Sequence, residues 1–466
     1  MSGFRQKYLG DKSFYKMLLA VVLPIIAQNA ITNFVGLLDN IMVGQTGTDP
    51  MSGVSVANQL MFVFNLVIFG AVAGAGIYCS QYHGSGNSEG VKFALRYKLI
   101  ICTGMAVAGI AIFYFFRESL VSLYITDSMT QGCDPAATLE YGSEYLYIML
   151  FGMLPFAVSQ AYSGTLRETG ETVLPMAAGI AAVVVNLFLN YLLIFGKLGC
   201  PELGAAGAAI ATVVSRYVEL LIVVIWTHTH KDKNPFAVGL YKSLYIPKDI
   251  VKKITVKGFP LLANEALWSM AMAAISQSYS TRGLEVVGAQ NICTTVSNVF
   301  NVVFMSLGLS VSIIVGQALG AGETEKAVDL DRKLIFTSVL SCAVTGGLLA
   351  AISPLFPQLY NTEPEIKVLA TKFILCVAAG TPLQAFLNAC YFTMRSGGKT
   401  LITFLFDSVM VWAVNYTIVF TLARYAPGIS VVWIMFIEQM SNIVKCIVGY
   451  VLVKKKKWVN NLVENG

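Results

Sequence analysis

Charge is what this sequence has least of. Only 12% of its 466 residues are Asp, Glu, Lys or Arg, about half the ~25% of an ordinary soluble domain. A soluble protein of this length would need far more charge to cover its surface, so a soluble globular fold is excluded. The nine cysteines are scattered, none in a CxxC pair, and most sit in apolar stretches. They read as small packing residues, not as a metal or redox motif. Cys133 and Cys200 fall in expected outer loops, where either a disulfide or two separate thiols is open. No Ser-His-Asp or HExxH pattern stands out. His228 and His230, two apart beside Lys231, have a poor spacing for a metal on a helix and read as a solvated loop. The SGGKT at 396–400 resembles the end of a phosphate-binding loop, but position 393 is Thr and no strand precedes it. It reads as a turn after an apolar helix. No enzyme chemistry and no cofactor are therefore expected.

What is present is apolar sequence in long blocks. Hydrophobic residues make up 56% of the chain, and the mean hydropathy is +0.67. Blocks of roughly 20 residues or more match the ~30 Å core of a bilayer. Twelve spans are predicted, at 15–43, 53–80, 93–116, 140–163, 173–196, 204–229, 250–281, 288–318, 333–357, 367–392, 401–424 and 429–453. The fold expected is all-α, a polytopic membrane protein. The first apolar run is too long for the h-region of a cleavable leader. If both termini and the even-numbered loops share one side, that side holds 24 of the 32 Lys and Arg. The other side holds six: Arg117, Lys197, Arg282, Lys367, Lys372 and Arg424. The positive-inside rule then puts both termini in the cytoplasm. The net charge of +6 follows from this placement and does not imply nucleic acid.

The chain repeats itself. With an offset of 236, Pro24 meets Pro260, Phe64-Asn65 meets Phe300-Asn301, and Gln81, Gly84, Gly86 and Arg96 meet Gln317, Gly320, Gly322 and Arg332. With an offset of 228, Arg167, Gly170 and Thr172 meet Arg395, Gly398 and Thr400; with 225, Asn190-Tyr191 meets Asn415-Tyr416. The domains expected are an N-lobe over 1–229, a cytoplasmic linker over 230–249 and a C-lobe over 250–466. Six spans per half is an even number, so the halves are parallel repeats about an axis along the membrane normal. Two such lobes leave a central cleft that can open to either face, which favours alternating access over a simple pore.

A charge within the hydrocarbon costs about 2.5–3.5 kcal/mol on insertion scales, so each one calls for a role. Asp39 sits in the outer part of the first span, in GLLDNIMVG, with no Lys or Arg between Lys16 and Lys92. It must be protonated, bind a cation or meet a distant partner; the other reading is a helix end in wet headgroups. Asn186 and Asn190 are four apart on one face of span five, and Thr212 lies on span six. One carboxylate with amide and hydroxyl oxygens suits Na+ or a proton. Interhelical hydrogen bonding is the alternative for the asparagines, and a helix back-bond for Thr212. In the second half, Glu265 follows Pro260 by five residues, at a level where the proline frees a carbonyl. Asp407 lies on span eleven, eight residues before Asn415. Glu438 and Lys445, seven apart, and Arg216 and Glu219, three apart, read as internal ion pairs.

Taken together, the chain resembles the multidrug and toxic compound extrusion (MATE) family of bacterial exporters over nearly all its length. The likeness rests on Pro24 and the Asp39-Asn-Ile-Met-Val-Gly44 of span one, and on the loops Gln81–Gly86 and Gln317–Gly322. It rests also on Arg167-Glu-Thr-Gly170 with its twin Arg395-Ser-Gly-Gly-Lys-Thr400, and on Gly-Ala-Ala-Gly-Ala-Ala-Ile-Ala-Thr212. The resemblance implies export of small amphipathic, often cationic, drugs or toxic metabolites across the bacterial inner membrane, driven by inward Na+ or H+, by a monomer in the lipid bilayer. It implies a cation site, possible for Na+, at Asp39, Asn186, Asn190 and Thr212, with Glu265 and Asp407 as substrate or coupling acids of the C-lobe. Some members carry an aspartate where Asn190 stands; members of one branch use a seventh-span glutamate, which Glu265 resembles, and their other C-lobe acid lies on span ten, where this chain has none. The runner-up is a lipid-linked saccharide flippase of the same superfamily, whose cleft would carry several intramembrane cations to hold a pyrophosphate. Only Arg216 and Lys445 are available, each with an acidic neighbour.

Overall fold

Backbone polar groups in hydrocarbon have no water to bond, so long apolar segments must satisfy them internally as helices. The computed structural model describes residues 7–124, 134–360 and 362–464. Among these the chain is helical, with no strand. The first half forms α1 (Lys12–Gly44), α2 (Thr48–Gly84), α3 (Ser88–Ser122), α4 (Pro135–Glu168), α5 (Val173–Phe195) and α6 (Gly204–Thr229). The second half forms α7 (Lys248–Ser280), α8 (Leu284–Gly320), α9 (Thr324–Ile352), α10 (Pro364–Ser396), α11 (Thr400–Tyr425) and α12 (Val431–Lys454). Eleven of these are long and apolar enough to cross a membrane; α7 has the length, 33 residues, but less apolarity. Its first turns carry Lys248, Lys252, Lys253 and Lys257, and its middle Asn264 and Glu265. Several helices outrun their predicted spans by a turn or more at each end, because hydropathy marks only the part that lies in hydrocarbon.

The twelve helices form the expected two-lobe architecture. Contacts group the chain into two units: Met1–Ile26, Ser80–Asn87 and Thr255–Gly466 form one, Ala27–Cys79 and Ser88–Ile254 the other. Membership changes within α1, two residues after Pro24. In the first unit, Phe14, Leu18, Val22 and Ile25 of α1 join a core with Val311, Val315 and Leu319 of α8, Leu387 of α10 and Trp458.

The repeated glycine motifs are helix endings. At the end of α2 the N–H of Asn87 bonds the Tyr82 carbonyl and that of Gly86 the His83 carbonyl. The same pair closes α8 (Glu323 to Ala318, Gly322 to Leu319), α4 (Glu171 to Leu166, Gly170 to Arg167) and α10 (Lys399 to Met394, Gly398 to Arg395). This is the Schellman arrangement, which needs a left-handed residue at the pivot; Gly86 and Gly322 sit at φ 74° and 77°. The 396–400 segment is such an ending, in keeping with its reading as a turn.

Two connecting segments are docked rather than free. After α6, Asn234, Phe236 and Leu240 are buried. Arg96 holds them by donating to the carbonyls of Leu240 (2.9 Å), Gly239 (3.0 Å) and Tyr245 (3.0 Å). His228 is a correction to the loop reading. It lies on the last turn of α6, bonds Tyr162 Oη through Nε2 at 2.9 Å and stacks on Tyr241. His230 is exposed. After α12, Trp458 is 2% exposed, and Gln81 Oε1 accepts from the Leu462 N–H at 2.7 Å while its Nε2 donates to Ser396 O and Asn460 O. Of the proposed disulfide, Cys133 lies outside the described residues.

Candidate functional site

Four residues chosen from sequence spacing form one hydrogen-bonded chain. Asn190 Nδ2 donates to Asp39 Oδ1 at 2.5 Å and to Asn186 Oδ1 at 3.2 Å, and Asn186 Nδ2 donates to Thr212 Oγ1 at 3.3 Å. Thus α1, α5 and α6 meet at a line of polar groups. The helix period explains the geometry: residues four apart on α5 stack on one face, and both asparagines are buried, Asn190 completely. Asp39 itself is half-buried. Among the described residues no basic side chain is among its electrostatic partners, and its one side-chain hydrogen-bond partner, Asn190, is neutral.

The fit to a small cation can be judged from one atom. Asn190 Oδ1 is buried and, among the described residues, accepts no hydrogen bond. A buried acceptor without a donor is costly; a cation or a proton held with Asp39 would satisfy it. The donor set is all oxygen, as Na+ prefers. No group of three His, Cys, Asp or Glu able to hold a transition metal is found among the described residues.

The second-half acids are also brought together, through a residue that sequence reading passed over. Asn264 of α7 donates to Asp407 Oδ2 at 2.9 Å, and Ser408 Oγ donates to Asn264 Oδ1 at 2.7 Å and to its carbonyl at 2.9 Å. Glu265, the next residue, counts Arg395 first and Asp407 second among its charged neighbours. Asp407 lies in a π-helical segment, Leu405–Val409, followed by a second, Val411–Tyr416, which holds Asn415. π turns inside helices recur at functional sites, and no residue pattern announces them. Asn264 had one available signal: it is a buried amide beside an acid in an apolar span.

Both expected internal ion pairs are corrected. Among the described residues no carboxylate oxygen lies within 4.0 Å of the Lys445 ammonium or of the Arg216 guanidinium. Glu438 accepts instead from Gln439 Nε2 at 2.9 Å. Arg216 donates to the Gly152 carbonyl at 3.3 Å and lies over the Phe156 ring, and Glu219 has Arg167 ahead of Arg216 among its charged partners. Residues three or seven apart share a face, but that does not bring them into contact: Arg216 turns to Gly152 and Phe156 of α4, and Glu438 to the adjacent Gln439. An ion pair that spacing could not reveal joins Lys98 of α3 to Glu168 of α4; Lys98 is fully buried and also reaches Thr165 Oγ1 at 3.1 Å.

The chain is similar to known proteins over nearly its whole length. The Probable multidrug resistance protein NorM of Thermotoga maritima is 25% identical over 433 residues, covering 91% of this chain and 89% of that protein. The Probable multidrug resistance protein YoeA of Bacillus subtilis is 24% identical over 460 residues, 97% of this chain and 96% of that one. A solved multidrug resistance MATE family transporter in an outward-facing conformation superposes with a TM-score of 0.83 at 17% identity, covering 98% of each chain. A MOP superfamily transporter of Pyrococcus furiosus superposes with a TM-score of 0.84 at 18% identity, also over 98% of each. The profile of the MatE family matches residues 24–192 and 260–421. These two stretches fall one in each repeat and begin at the paired prolines Pro24 and Pro260, so this two-lobed helical chain belongs to the MatE family.

Proposed function

We propose that this protein is a cation-coupled antiporter that exports amphipathic, often cationic, drugs or toxic metabolites by alternating access. Inward movement of Na+ or H+ drives it, and Asp39, Asn186, Asn190 and Thr212 hold the coupling ion. The observation that carries this reading is the Asp39–Asn190–Asn186–Thr212 chain, in which, among the described residues, no base neutralises the carboxylate and no donor satisfies the buried Asn190 amide oxygen. Only an ion with different affinity for the two lobe orientations can bias them, and a lone carboxylate is the group whose charge depends on that ion. Multidrug extrusion as the task is supported by what the NorM and YoeA relatives are called. The protein sits as a monomer in the bacterial inner membrane with both termini cytoplasmic, as its Lys and Arg distribution favours.

The flippase alternative asks for unanswered cations in the membrane. Those present have acidic company: Arg167 and Arg216 share Glu219, and Lys445 has Asp407 and Glu438. The test is transport in proteoliposomes with an imposed Na+ gradient or an imposed pH gradient, one at a time. One of the two should drive uphill movement of a cationic dye by the wild type. Dye movement that ignores both gradients would overturn the reading.

A further inference from the structure

Lys445 is a cation placed in the interior of an apolar helix, α12, and is 4% exposed. The charge is expensive there, and the partner on its own helix, Glu438, is not in contact with it. The packing of α11 against α12 shows what it faces. Asn415 Nδ2 bonds Asn442 Oδ1 and Ser441 Oγ, both at 3.2 Å. Further along, Phe406 packs on Gly449, with its ring 3.0 Å from where a Cβ would stand. The two helices run antiparallel, so these rungs bracket Asp407 on one and Lys445 on the other. Asp407 is accordingly the first charged partner of Lys445, ahead of Glu438. Asp407 is meanwhile held by Asn264 from α7, and it lies within the π segment Leu405–Val409.

We propose that Lys445 is a specificity-determining residue, an internal counter-cation that cancels the charge of Asp407. Cations in transit then compete with Lys445 for that carboxylate, and the second half attracts them less than its acids alone would. This rests on the drug-export reading above and adds to it a fixed brake on affinity for cationic substrates. A cation site that held its ligand too tightly would not release it, and a tethered ammonium sets that limit without contact between Lys445 and the substrate. The spacing favours this over a structural ion pair, since the two groups stand beyond 4.0 Å and so do not lock together.

The experiment measures equilibrium binding to the purified full chain in detergent. The probes are tetraphenylphosphonium and the uncharged triphenylphosphine oxide. Lys445→Met should tighten binding of the cation by about tenfold, the scale of one charge removed roughly 10 Å away at an effective dielectric of about 20. Asp407→Asn, which leaves Lys445 with Glu438 as its remaining acidic neighbour, should weaken it by a similar factor. The double variant should return close to wild type, and Lys445→Arg should match wild type throughout. The uncharged probe should bind all of them alike. A double variant whose cation affinity is not restored would overturn the proposal. So would equal changes for both probes, or loss of the uncharged probe by Lys445→Met and Lys445→Gln alike, since either marks a structural lysine. If wild type binds neither probe, the export reading fails and this one with it; if wild type binds and the variants do not differ, this one fails alone.

Discussion

In the proposed mechanism Asp39 is the group of the first half whose charge depends on the coupling ion. Asn keeps its shape and its capacity for hydrogen bonds but cannot ionise, and the insertion cost of a charge disappears. Asp39→Asn should therefore leave the protein folded and inserted yet abolish gradient-driven export, because ion binding no longer differs between lobe orientations. The measurement is drug accumulation in cells that express equal amounts of both proteins; equal protection by the variant would make Asp39 a helix-end residue. Asn186→Ala and Asn190→Ala each remove one neutral oxygen. At about 0.5–1.5 kcal/mol per hydrogen bond each should weaken ion affinity by roughly two- to tenfold without abolishing it, as read from the ion concentration that gives half-maximal transport.

At the scale of elements, two features hold segments that hydropathy treats as loops or ends. Arg96 binds three carbonyls of the segment after α6. Arg96→Ala leaves them without that donor, with an expected loss of about 1–3 kcal/mol, seen as a lower melting temperature in detergent and new protease cleavage within 234–246. The paired glycines have a reciprocal role. A Cβ on Gly84 would lie 2.0 Å from the Gln317 carbonyl oxygen, and one on Gly320 would lie 1.9 Å from that of Gln81. The two repeat loops therefore pack backbone against backbone, which explains a glycine in each. Gly320→Ala should force this crossing apart, at about 1–3 kcal/mol for overpacking. Gly347→Ala, with nothing within 4 Å, should be neutral or slightly stabilising because alanine is the better helix former. Equal melting temperatures for the two variants would show that the crossing is not needed.

For the whole molecule, the distribution of Lys and Arg predicts which face each connection occupies. Ser243 lies exposed in the segment between α6 and α7, beside Lys242 and Lys248. A cysteine there, in a background without reactive thiols, should resist an impermeant reagent added to intact cells and react once the membrane is opened. Ready labelling in intact cells would invert the orientation. The same experiment bears on the lobes, since an even number of spans in each half requires residues before α1 and after α12 to share the face of Ser243.

The sequence by itself determined the class, the helices and the repeat. Bilayer thickness and backbone hydrogen bonding leave few options for apolar blocks of this length, and glycine at a left-handed helix end is legible because few residues tolerate that backbone. It also named Asp39, Asn186, Asn190 and Thr212, since an isolated acid and two amides one helical turn apart stand out in an apolar background. Tertiary structure alone decided who pairs with whom. Asp407 stands ahead of Glu438 among the charged neighbours of Lys445, and Arg167 ahead of Arg216 among those of Glu219, though none of these is an ion-pair contact among the described residues, and Asn264 entered beside Glu265. Spacing along one helix fixes a face but not the helix that packs on that face, so a charge on a neighbouring helix can outweigh one on the same helix.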